Sequence, residues 1–124
     1  MTKTSDGVAD KLVRIKTLLT GSDEATRKQA AGELRDVAER FCKEVLVRHF
    51  GPPKTLADFD GQILAGLIDT LEKEKLFKAP DHKGKLILLK RWTNPGNHDA
   101  PVPSTSDLKS VFGNIRKLAR QYLG

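Results

Sequence analysis

The residues able to do chemistry are concentrated in one stretch, Arg91-Trp-Thr-Asn-Pro-Gly-Asn-His-Asp99. Arg91 carries a permanent charge and can grip a phosphate with two parallel hydrogen bonds. His98 titrates near neutrality and can take up or release a proton. Asn94, Asn97 and Asp99 supply amide and carboxylate groups able to orient an imidazole or a ribose hydroxyl. Together they are the minimum set for metal-independent RNA cleavage, in which a 2′-hydroxyl attacks its own neighbouring phosphate. The histidine would serve as base or acid, and the arginine would stabilise the extra charge on phosphorus. The same residues also make an ordinary turn, with His98 bonded to nearby backbone and Asp99 capping the linker.

Other candidates are weaker. The ten glycines are scattered, and none fits a phosphate-loop or dinucleotide pattern. His82 follows Asp81 and His98 precedes Asp99, but no pair of ligands has metal-binding spacing, so neither a metal nor a cofactor is expected. Cys42 sits beside an apolar stripe and reads as a small core residue. His49 lies in the last turn of a helix, where an imidazolium complements the dipole. Tyr122 continues an apolar face, and Trp92 reads as core or interface, because one aromatic does not make a base-stacking platform.

The elements that must position Arg91 and His98 are helices. The first is expected over about 6–19, with Val8, Leu12, Ile15 and Leu19 on one face. The second, about 23–49, carries Leu34, Val37, Ala38, Phe41, Val45 and Leu46 as a continuous stripe. Its acids precede bases at i,i+4, as in Asp36/Arg40 and Glu39/Lys43, which reads as a solvated, mutually supporting face. Gly51-Pro52-Pro53 stops it. A third is expected over about 58–76, burying Ile63, Leu64, Leu67, Ile68 and Leu71. A fourth begins near His82 or Lys83, carries Leu86 to Leu89 and Trp92, and frays by Asn94, because Pro95 disfavours helix in the residue before it. Ser104 and Asp107 stand near capping-box spacing before a last helix with Leu108, Val111, Phe112, Ile115, Leu118, Ala119 and Tyr122 on one side. The fold class is therefore all-α, a bundle of four or five helices in one 124-residue domain, with 1–20 a candidate peripheral helix and 23–124 the core.

Composition narrows the partners. The longest apolar runs, Ile63–Ile68 and Leu86–Leu89, fall far short of the roughly 18 residues a membrane span needs. No charged-then-apolar leader opens the chain, and a lone cysteine fits a reducing cytoplasm. The net charge is +6, and its location matters more than its total. Acids and bases cancel between Asp23 and Arg48. The stretch from Lys78 to Arg91 carries five bases against Asp81, and that from Asp107 onward four bases against Asp107 itself. Lys83, Lys85, Lys90, Lys109, Arg116, Lys117 and Arg120 thus flank the polar segment and are candidate RNA contacts, which predicts salt-dependent affinity.

The stretch Leu89-Lys-Arg-Trp-Thr-Asn-Pro-Gly-Asn-His-Asp99, followed by a Pro-rich linker and an amphipathic last helix, resembles the HEPN superfamily. Its members are helical bundles with an Arg-x(4–6)-His motif near a helix end. It looks like the small HEPN-like domains of bacterial defence ATPases and related proteins. Six residues separate Arg91 from His98. The resemblance spans 30–124 in architecture and eleven residues in motif. It implies a metal-independent endoribonuclease, toxin-like, working as a homodimer whose two motifs meet in one cleft. Arg91 would contact the phosphate, and His98 would handle protons or position the 2′-hydroxyl. Trp92 stands where active members often carry a polar residue. The resemblance therefore also implies the alternative of a non-catalytic module that dimerises, binds RNA or docks on an antitoxin or ATPase partner.

Overall fold

The computed structural model describes residues 7–92 and 102–124, with backbone alone at 90–92. Helix α1 covers Val8–Leu18, α2 Glu24–Phe50, α3 Leu64–Lys73, α4 Pro80–Trp92 and α5 Thr105–Leu123, and a short 3-10 turn, Leu56–Phe59, precedes α3. The fold is an all-α bundle, with no strand among the described residues. None of the described helices is long and apolar enough to cross a membrane.

Helix α2 is the axle. Asp23 caps it by accepting the Thr26 N–H at 3.1 Å and the Thr26 hydroxyl at 2.7 Å. Those two bonds hold its carboxyl below the ordinary range. Gly51, at φ +70, donates its N–H to the Val47 carbonyl at 2.9 Å and ends the helix in a left-handed turn that a side chain would resist. All six residues of the expected stripe are buried, and Cys42 is buried with them. The other four helices pack around α2.

Two ion pairs on α2 run base before acid, the reverse of the expected order. Arg40 reaches forward to Glu44 at 3.0 Å, and Arg35 to Glu39 at 3.8 Å. Glu39 is drawn that way because its Oε2 also accepts the Leu64 N–H at 3.0 Å, capping α3 from a neighbouring helix. Arg27, one turn after Asp23, bonds to the carbonyls of Ser22 and Pro103, which fastens the segment entering α5 to the start of α2.

Two expectations about helices are corrected. The continuous third helix over 58–76 is divided. Thr55 and Asp58 form a reciprocal capping box on the 3-10 turn, and Gly61, at φ +82, breaks the chain before α3 starts. Ile63 then falls at the N-cap of α3 and is 57% exposed instead of buried. The first helix is not peripheral: Val8, Leu12, Ile15 and Leu19 join the same core as α2 and α5. Their i,i+4,i+7 spacing buries a full stripe, enough to dock a helix of eleven residues.

Candidate functional site

Helix α4 leads to the chemically unusual segment. It starts two residues earlier than expected, at Pro80, whose fixed φ and missing N–H suit a first helical position. It is helical throughout, Leu86 to Leu89 included. His82, Leu86 and Leu89 form its buried stripe. The helix continues through Arg91 and Trp92, so position 91 falls in its last turn, about half a turn round from Leu89. Asn94, Asn97, His98 and Asp99 lie outside the described residues, as do the side chains of Lys90, Arg91 and Trp92. Ser104 begins α5 as expected, accepting the Asp107 N–H at 3.1 Å.

A polar lock sets the position of α4. The Tyr122 hydroxyl, near the end of α5, accepts the Lys78 N–H at 2.7 Å. It lies 2.8 Å from His82 Nδ1, to which it can donate its own proton when the ring carries its hydrogen on Nε2. The Lys78 ammonium sits 4.9 Å from the centre of the Tyr122 ring, and Phe41 meets the same ring edge-on at 5.4 Å. Burial, reinforced by the negative charge of Asp81, raises the Tyr122 phenol above its ordinary value. His82 is therefore a hydrogen-bonded structural residue. Among the described residues no cluster of His, Cys, Asp or Glu could hold a metal. Burial, then the nearby Glu39 charge, push the Cys42 thiol far upward, which removes it as a nucleophile. His49 meets Glu74 at 3.1 Å and ties the end of α2 to the end of α3.

The candidate RNA-contacting bases separate into two groups. On α4, Lys83 is paired with Glu72 of α3, and Lys85 with Asp81 at 3.2 Å. On α5, Lys109, Arg116, Lys117 and Arg120 are all accessible to solvent to some degree. Positions 109, 116 and 120 fall within about 40° of one another around the helix, one basic column, while 117 stands off it.

That column leads into a cleft of about 550 Å3 between α1 and the C-terminal ends of α2 and α5. Val8, Leu12 and Val13 line one wall, and Phe112, Ala119 and Leu123 the other. Lys16, Arg48, Arg116 and Arg120 stand around it. Arg116 lies over the Phe112 ring, 5.9 Å from its centre. The one acid among the described lining residues, Glu44, is already paired with Arg40. Neither this cleft nor the Tyr122 lock is apparent in the sequence, because each joins residues from distant segments. The available signal for the lock was a tyrosine hydroxyl on an otherwise buried face, which must find a partner.

The chain matches no protein-family model, no curated protein and no solved structure.

Proposed function

We propose that this chain is a HEPN-like domain that cleaves RNA without a metal, acting in the cytoplasm as a homodimer. One observation carries the reading. Position 91 stands in the last turn of α4, the motif is complete before α5 begins, and α4 and α5 pack against each other within an all-α bundle. A segment joining two packed helices is where a rigid scaffold can present catalytic groups with precision. In this reading Arg91 holds the scissile phosphate and stabilises the charge that develops on it. His98 exchanges protons with the 2′-hydroxyl or the leaving oxygen, and Asn94, Asn97 and Asp99 orient them.

The test is cleavage of a mixed RNA pool by the purified chain in EDTA. Wild type should cut, and His98→Ala should lose at least about a hundredfold in rate with its melting temperature unchanged, in line with a general acid–base contribution. RNA left intact by wild type, or cut equally by the variant, would remove the enzymatic reading. The ion pairs at Lys83 and Lys85, which reduce the free charge beside the motif, favour a second reading. It is a non-catalytic module that dimerises or docks on an antitoxin or ATPase partner, and it expects partner binding that survives His98→Ala.

A further inference from the structure

We propose that the cleft between α1, α2 and α5 is a binding site for a small amphipathic anion, a molecule with an apolar body and a single carboxylate or phosphate head. Three observations point to this ligand class. The first is size: about 550 Å3 lies within the range of clefts that enclose small molecules. The second is the lining. Leu12, Val13, Phe112 and Leu123 offer an apolar bed, and Val13 is 69% exposed although it stands beside buried Leu12. An exposed β-branched residue continuous with a core-lined concavity is surface that a ligand would remove from water.

The third is charge. Among the described residues, none of Lys16, Arg48, Arg116 and Arg120 makes an ion pair with an acid, and Glu44 is engaged by Arg40. Lys16, Arg48 and Arg120 lie in the last turns of their helices, where each offsets roughly half a charge of the helix dipole. Counted over the described side chains, the rim stays positive after that subtraction and after Glu44. Arg116 and Arg120 are one turn apart on α5, so two guanidinium groups can converge on one anionic head while the tail lies over Phe112 and Leu12. An uncharged ligand would leave the rim unused, and a bare anion would leave the apolar bed wet. The combination selects a molecule that has both parts.

The experiment is titration calorimetry of the whole chain with dodecanoate below its micelle concentration, alongside dodecanol and inorganic phosphate. The expected result is one dodecanoate per chain, bound at least tenfold more tightly than either control. Arg116→Gln combined with Arg120→Gln should weaken dodecanoate about tenfold or more and leave dodecanol unchanged. Val13→Asn, an uncharged polar change at an exposed position, should weaken dodecanoate and dodecanol alike. Absent or unsaturable binding, phosphate bound as tightly as dodecanoate, or no loss in the arginine variant would each overturn the proposal. So would an acidic amphipathic helical peptide that binds more tightly than dodecanoate, because the cleft would then be a protein-docking groove.

Discussion

The two basic regions of this molecule resemble each other along the chain and differ in space. The stretch up to Arg91 and the stretch from Asp107 onward each hold a positive excess. On α4 the excess is partly cancelled by a carboxylate that a count along the helix cannot include, since Glu72 comes from α3 to meet Lys83. On α5, Arg116 and Arg120 face a cleft where Glu44, the one acid among the described lining residues, is held by Arg40. A cation is available to a partner only where the fold brings no acid to it. Charge counted by segment locates candidates, and the neighbouring helices decide which remain free.

The difference can be broken or sharpened by substitution. The largest effect is expected at the packing beneath both regions. Phe41→Ala should lower stability by about 3–5 kcal/mol in chemical denaturation, because its buried ring packs on Tyr122 and the core around α2. A loss under about 1 kcal/mol, well below the usual cost of such a truncation, would mean that the two regions do not share one core.

Tyr122→Phe removes the lock at the start of α4 and leaves His82 Nδ1 short of a partner, which should cost about 1–3 kcal/mol. It also carries a pH signature. The phenol is raised in the folded chain, so the native state holds its proton more tightly than the unfolded one. That stability is complete below the ordinary value of 10.0 and is lost as pH rises through the raised native value. Wild type should therefore lose stability in strong alkali more steeply than Tyr122→Phe, and parallel alkaline curves would contradict the burial of the phenol. Ser104→Ala, which uncaps α5, should cost about 1 kcal/mol and leave the pH profile unchanged.

The smallest effect concerns RNA affinity. Lys83→Gln with Lys85→Gln should flatten its salt dependence less than Arg116→Gln with Arg120→Gln, because the lysines are already paired. Equal flattening would erase the distinction between the two basic regions.

What the sequence made legible was local. The stripe of α2, its stop at Gly51, the Ser104 cap and the apolar face of α5 each depend on residues within a few turns of one another, and each is present. The division of the third helix was harder to read. Gly61 is tolerated inside a helical pattern, and the capping box at Thr55 and Asp58 competes with a longer helix only once α2 supplies Glu39 to cap α3 separately. The cleft beside α1 depends on residues at opposite ends of the chain, which no periodicity reports. Of the candidate site, the structure describes only the backbone at Arg91, in the last turn of α4.

The most direct measurement compares RNA cleavage in EDTA by four proteins: wild type, Arg91→Ala, His98→Ala and the Arg116→Gln, Arg120→Gln double variant. Cleavage by wild type, a smaller loss in the double variant through weaker RNA binding, and a loss of at least about a hundredfold in both motif variants at unchanged melting temperature are the predicted result. Full activity in His98→Ala, or no cleavage by wild type, would contradict the account.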